Sequence, residues 1–193
     1  NPFTETIVEF PTSVQNFTWT NQEGEGGTYD ESLTFASEEG VSINADVGLS
    51  FHIEPSLVPK LYGRFRQQDL DVLAHSYVRN VVREALSEVA SGMPVQEIYG
   101  SGKTRVLHDA QELIERQLGP DGFRIDQLSF LGSFRLPQNV QDAINRAMEA
   151  TQNAIQAENR VRQTRAEADQ AVAAAHGEAE AARQRAQGEA DSI

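Results

Sequence analysis

The chain has 193 residues, a net charge of −13 and an isoelectric point of about 4.7, which suits one domain plus an extension. This acidic balance argues against a nucleic-acid partner and against electrostatic binding to anionic lipid, because both require basic surfaces. The absence of cysteine excludes disulfides, thiolate catalysis and cysteine-ligated metals, and no apolar run reaches the roughly 18 residues of a bilayer-spanning helix.

The first part of the chain has the pattern of a β-sheet. Residues 5–10 and 14–20 are predicted short strands separated by Pro11, and residues 21–31 are a glycine-rich, acidic loop. From residue 41 to residue 53 apolar and polar residues alternate, which predicts a long antiparallel strand with one buried and one wet face. Residues 33–37 precede it across a Glu-Glu-Gly turn, which favours a hairpin.

Helical patterns follow the sheet. Pro55 ends the long strand, and Ser56 is predicted to cap a short helix that runs to about residue 65. Residues 70–90 and 103–118 carry apolar stripes at helical spacing, and residues 123–131 return as a strand. The predicted fold class is therefore α+β, with a mixed, largely antiparallel sheet and helices packed on one face.

The composition changes sharply at Pro137, which divides the chain into a head of residues 1–136 and a helical segment of residues 137–193. Residues 138–193 contain no leucine, no Phe, Trp or Tyr and no proline, but many alanines. Apolar residues recur there at alternating steps of three and four, shifted by one position beyond Ala171, which is typical of a coiled-coil helix. The sequence thus predicts one long, alanine-rich α-helix that is too long to fold back into the small head.

This alanine seam is the candidate functional surface. A buried methyl group contributes only about 0.8 kcal/mol, so we expect the helix to associate weakly in a pair and stably when neighbours flank it on two sides. Charged side chains beside the seam offer lateral ion pairs worth under about 1 kcal/mol each. The alternative is a solvated helix that acts as a spacer. The predicted interface residues are Ala147, Ala150, Ala154, Ala157, Val161, Ala168, Ala175, Ala179 and Ala182.

The sequence offers no convincing catalytic motif. Residues 100–104 (GSGKT) are similar to a phosphate-binding loop, but the first glycine of that motif would fall at Glu97. A glycine-rich turn, after which Ser101 or Thr104 begins a helix, is the favoured interpretation. The four histidines lack metal-ligand spacing and no nucleophile elbow is present. We therefore predict no enzymatic activity, no cofactor and no metal, and assign no catalytic residue.

Four stretches, in this order, resemble the SPFH/Band 7 family, which includes stomatin, prohibitin, flotillin and the bacterial HflK and HflC proteins. They read LTFASEEGVSINADVGLSFHIEPSLVPKLY, YVRNVVREALSEVASGMPVQEIYG, GFRIDQLSFLGSFRLPQNVQDAINRAMEATQNAIQAENR and AEADQAVAAAHGEAEAARQRAQGEA. The resemblance spans about residues 1–190 and is nearest to the prohibitin-like members.

The resemblance implies a function that the residues alone do not indicate. Members of the family are usually held at a membrane by an N-terminal hydrophobic segment, and they assemble into large rings or cages whose walls are long helices. They organise membrane microdomains, several surround or regulate membrane-bound AAA proteases, and they are not usually enzymes. On this comparison the membrane anchor and the first strands of the head would precede Asn1, and the side of the membrane stays open.

The leading hypothesis is a non-catalytic, membrane-associated scaffold that forms a homo- or hetero-oligomeric ring or cage. One alternative is an adaptor with a partner-binding head and a spacer helix, which predicts a monomer at micromolar concentration. A second alternative, disfavoured by Glu97, is a nucleotide-binding regulatory domain that uses residues 100–104.

Overall fold

The computed structural model describes residues 7–21 and 30–190, with side chains except at residues 186 and 188–190. The chain divides into two compact units, Asn1–Gln141 and Asp142–Ile193. The described strands are β1 (Gln15–Trp19), β2 (Leu33–Ala36), β3 (Ser42–Ile53) and β4 (Phe123–Arg135). The α-helices are α1 (Val58–Phe65), α2 (Leu70–Leu73), α3 (Arg79–Ala90), α4 (Val95–Tyr99), α5 (Lys103–Leu118) and α6 (Gln138–Ala190).

The sheet is built around β3, which is paired along both edges. β1 and β2 lie end to end along one edge, because β1 pairs with residues 47–51 of β3 and β2 with residues 42–45. β4 pairs with β3 along the other edge, and two irregularities interrupt its register. Every pairing among the described strands is antiparallel.

Alternation along β3 sorts its side chains between the two faces of the sheet. The odd-numbered side chains from Ile43 to Ile53 are buried, whereas the even-numbered positions carry serine, asparagine, aspartate, glycine and histidine. On the apolar side α5 packs against β4, α3 packs against β2, and the two helices contact each other. The predicted α+β class is therefore confirmed, and the reason is the period-two pattern that removes one face of β3 from water.

The predicted helix over residues 70–90 contains a π turn. α2, the π turn Ala74–Val78 and α3 follow one another without a gap, and the side chain of Asp69 caps the start by accepting a bond from the Asp71 N–H. A π turn takes in one extra residue. The spacing of the apolar residues did not reveal the π turn, because the residues of the apolar stripe face the core both before and after this turn in the chain. Its buried members are Leu73, Val78, Val81, Val82, Ala85 and Leu86, with Tyr77 and Val89 half-buried.

Two local predictions were wrong. Residues 7–10 form no strand, because pairing with β3 begins at Gln15 and Pro11 has no N–H for a ladder bond. Residues 5 and 6 of that predicted strand lie outside the described residues. Residues 22–29, which make up most of the predicted loop, also lie outside them. Ser56 does not cap α1. It lies in a 3-10 turn, Pro55–Leu57, and its hydroxyl donates to Glu54 instead, at 3.5 Å.

A buried carboxylate fixes the return from α5 to β4. Asp121, in the 3-10 turn after α5, is only 1% exposed. Arg64 of α1 donates to both of its oxygens, and the longer of the two bonds measures 2.6 Å. The hydroxyl of Tyr77 donates to the same carboxylate at 3.3 Å, and burial together with this negative charge raises the pKa of Tyr77. Pairing makes the burial of this charge tolerable and links α1, the π turn and the start of β4.

Candidate self-association surface

The candidate surface lies on α6, a single helix of 53 residues. At about 1.5 Å per residue it is about 80 Å long. Alanine has the highest helix propensity, and proline, which breaks helices, does not occur within α6. Pro137 stands just before the first turn, where its missing N–H costs nothing, and its carbonyl accepts bonds from Val140 and Gln141 at 3.0 Å.

Over residues 145–180 the single chain provides no core for α6. Every described side chain from residue 145 to residue 180 is exposed to solvent. Most helices in proteins are stabilised by packing an apolar face against a neighbour, since propensity alone leaves a helix marginal in water. The faces of α6 over this range are therefore available to a partner molecule.

All nine predicted interface residues lie on α6, and each is exposed in the single chain. Steps of three and four keep positions on one side of a helix with 3.6 residues per turn. A stripe made only of alternating steps of three and four drifts slowly around such a helix. Beyond Ala171 two successive steps of four, to Ala175 and Ala179, bring the stripe back to the same side. The result is one continuous stripe of small side chains, and the role of these residues in assembly remains a prediction. The stripe contains Ala147, Ala150, Ala154, Ala157, Val161, Ala168, Ala175, Ala179 and Ala182.

Larger apolar side chains on α6 are also exposed, and the sequence analysis missed two of them. Met148 is 56% exposed and Ile155 is 47% exposed, comparable with the exposed Val161 and Val172. The alanine spacing passes beside Met148 and Ile155, so neither was included in the seam. Their own separation of seven residues, close to two helical turns, was the signal that they share a side.

The glycine-rich segment at residues 100–104 is a tight turn between two helices. It follows α4 rather than a strand, so the strand-loop-helix context of a phosphate-binding loop is not formed there. A Cβ atom at Gly102 would lie 2.7 Å from the Glu97 carbonyl oxygen and 2.8 Å from the Met93 side chain. Glycine is therefore required at position 102 by the close approach of the backbone to α4.

The start of α5 differs from the prediction. Gly102 is the N-cap residue, and neither Ser101 nor Thr104 caps the helix with its side chain. The ammonium group of Lys103 lies 4.6 Å from the ring centre of Phe134, a cation–π distance. Lys103, which the phosphate-loop motif would use to bind a phosphate, therefore packs against Phe134 within the head.

The polar face of the sheet carries an ion pair between Asp46 and Arg135. Arg135 holds Asp46 through two bonds, of 2.7 and 2.8 Å, and Asp46 is 14% exposed. The hydrogen bonds from Arg135 hold the pKa of Asp46 below its usual value. His52 lies on the same face, with its Nδ1 2.9 Å from a carboxylate oxygen of Asp126. Among the described residues no group of three or more His, Asp or Glu is arranged to hold a metal ion.

Comparison with known proteins identifies the family. The model of the SPFH domain / Band 7 family matches residues 1–190, and a search of curated proteins finds no match. The family consists in general of membrane-associated, non-catalytic scaffold proteins. In residues 7–21 and 30–190, no helix has both the length and the apolar content to cross a bilayer. Because the family model covers nearly all of its 193 residues, this chain belongs to the SPFH domain / Band 7 family.

Proposed function

We propose that the protein is a non-catalytic, membrane-associated scaffold that oligomerises into a ring or cage through α6. The observation that carries this proposal is the exposed, alanine-rich helix described above, joined to a head that has its own core. A helix of about 80 Å whose small side chains are exposed over residues 145–180 is suited to lateral packing against other helices. Membership of the SPFH/Band 7 family supports the membrane association.

The proposal extends to what the assembly does at the membrane and to the protein on which it acts. The protein is held at a membrane, and the assembled ring organises a membrane microdomain. A membrane-bound AAA protease, enclosed or regulated by that ring, is the proposed client. The family assignment supports the part that concerns the membrane.

The test is a pair of substitutions in the seam. Replacing Ala154 and Ala168 with glutamate places two long, charged side chains where a neighbouring helix must approach closely. We expect the native mass of the protein in mild detergent, measured by light scattering, to fall from a large closed assembly to monomers and small oligomers. The unfolding of the head should be unchanged, because both residues lie on α6 and are exposed.

A matched variant controls for charge. Gln156→Glu with Ala174→Glu adds the same negative charge on another side of α6 and should leave the native mass unchanged. Assembly that survives Ala154→Glu with Ala168→Glu would count against the seam. If the natural chain is monomeric at micromolar concentration, the scaffold proposal is wrong. The adaptor hypothesis then takes its place, in which the head binds a partner and α6 is a spacer.

A further inference from the structure

The outer edge of β4 has no neighbouring strand among residues 7–21 and 30–190. β4 pairs with β3 along its inner side, and residues 127–131 keep an unbroken register with residues 46–50 of β3. An edge strand presents a row of backbone N–H and C=O groups, and only another extended backbone matches that row. The edge therefore specifies the chemistry of its partner, which is an extended polypeptide segment.

α5 runs beside this edge on the apolar side of the sheet. Its first residue, Lys103, contacts the ring of Phe134 near the end of β4, and its last turn lines a cavity together with the first residues of β4. α5 therefore follows β4 in the opposite direction. The flank of α5 toward β4 is formed by the residues that come one position, about 100°, after each buried residue of the helix. These residues are Leu107, Gln111, Glu115 and Gly119.

The groove between this flank and β4 has an apolar floor that the single chain covers only in part. Leu107 on α5 and Ile125 and Phe130 on β4 are half-buried. Phe123 and Leu128, which lie on the same side of β4, are 1% and 5% exposed. A strand added at the edge would remove the remaining apolar surface from water, which favours its binding.

A cavity at one end of the groove has room for a side chain. Its volume is about 280 Å³. A cavity of about 150 Å³ already holds a molecule of the size of benzene, so a leucine or phenylalanine side chain fits. The cavity is lined by Glu115, Gly119, Phe123, Arg124 and Ile125.

We propose that the head binds an extended segment of a partner protein, which adds to the outer edge of β4 and places one apolar side chain in this cavity. Successive side chains of a strand point to opposite sides, so apolar residues toward α5 alternate with polar residues toward the polar face of the sheet. The net charge of −13 attracts a segment whose polar residues are basic. This binding site goes beyond the proposed scaffold and does not depend on assembly through α6.

The edge and the cavity have different roles in this site. Main-chain hydrogen bonds to β4 give affinity for an extended segment, and the cavity selects the segment by one of its side chains. The head thus recognises a short stretch of sequence rather than the folded surface of its partner.

A short synthetic peptide tests the edge. The peptide is a fluorescein-labelled heptapeptide, Lys-Leu-Thr-Val-Thr-Leu-Lys, which alternates apolar and polar residues. We expect saturable binding to the natural chain, measured by fluorescence anisotropy, and slower amide hydrogen exchange in residues 123–131 when the peptide is bound. Proline at the third and fourth positions of the peptide removes one N–H from each side of the strand, and should weaken binding by about tenfold or more.

Filling the cavity tests its role. A Cβ atom at Gly119 would lie 3.8 Å from the guanidinium group of Arg124, an ordinary contact, so a side chain can start there. Gly119→Leu fills the cavity, and we expect it to weaken binding of the peptide by about tenfold or more. Gly119→Ala is the matched control, because it makes the same change in the backbone and leaves most of the cavity open. Its affinity should stay within about twofold of that of the natural chain.

Three results would overturn the proposal. They are the absence of saturable binding, equal affinity of the leucine and alanine variants, and binding that leaves hydrogen exchange in residues 123–131 unchanged. None of them bears on the native mass of the protein, so the scaffold is tested separately. Circular dichroism checks that both variants are folded.

Discussion

At the scale of single residues, the Asp46–Arg135 pair links the stability of the head to pH. The pKa of Asp46 is lowered in the folded head by the hydrogen bonds from Arg135, so the folded state binds fewer protons than the unfolded state near that pKa. The pair therefore stabilises the head above about pH 4, and this contribution is lost as the pH falls through the lowered pKa.

Asp46→Asn removes that charge. We expect the free energy of unfolding of the head at neutral pH to fall by about 1–2 kcal/mol, and its acid dependence to flatten below about pH 4. Urea unfolding monitored between pH 7 and pH 2.5 measures both effects. Glu88→Gln, which neutralises an exposed carboxylate on α3, should reproduce neither. An unchanged acid limb in Asp46→Asn would show that other carboxylates govern it.

Several residue-level features were beyond sequence reasoning because their partners are distant in the chain. Asp121 directly follows α5 in the chain, and its contact with Arg64, 57 residues earlier, makes it half of a buried ion pair. Gly102 looked like part of a phosphate loop, and the requirement for glycine comes from the approach of Glu97 and Met93. Spacing predicts which side of an element a residue occupies. It does not predict which atoms from elsewhere reach that side.

At the scale of elements, α6 is weakest where glycine interrupts it. A Cβ atom at Gly177 would meet nothing within 4 Å, so alanine fits there in the single chain. Because glycine costs a helix about 1 kcal/mol relative to alanine, Gly177→Ala should slow amide hydrogen exchange around residue 177 about fivefold in the dilute, unassembled protein. Ala174→Gly should have the opposite effect. Unchanged exchange in both variants would mean that helix propensity does not limit opening there.

Long periodic elements were predictable, and short ones were less so. The thirteen-residue alternation at 41–53 and the stripe at 103–118 predicted β3 and α5 almost to the residue. The failures at residues 7–10 and at Ser56 lie beside prolines, where the choice among strand, 3-10 turn and helix start depends on which partner strand is available. The candidate site was predictable to the extent that it is a pattern on one helix, and the large side chains Met148 and Ile155 were missed because they lie beside that pattern.

At the scale of the whole molecule, the head and α6 should respond differently to protein concentration. Neighbours that bind only the folded helix stabilise it by mass action, while the head is stabilised by its own core. We expect the thermal transition of α6, followed by circular dichroism, to move to higher temperature as the concentration rises. The fluorescence of Trp19, the single tryptophan and buried in the head, should report a transition that does not move. Two transitions that are both independent of concentration would contradict the scaffold.

The sequence by itself determined the α+β class, the presence of a long, alanine-rich helix after Pro137 and the resemblance to the SPFH/Band 7 family. These follow from periodicity, composition and order, which are properties of neighbouring residues in the chain. Only the tertiary structure decided that β1 and β2 share one edge of β3, that Asp121 is a paired buried charge and that the glycine-rich turn packs on α4. Those features depend on side chains and backbone groups that meet across long separations in sequence, and local spacing does not encode such meetings.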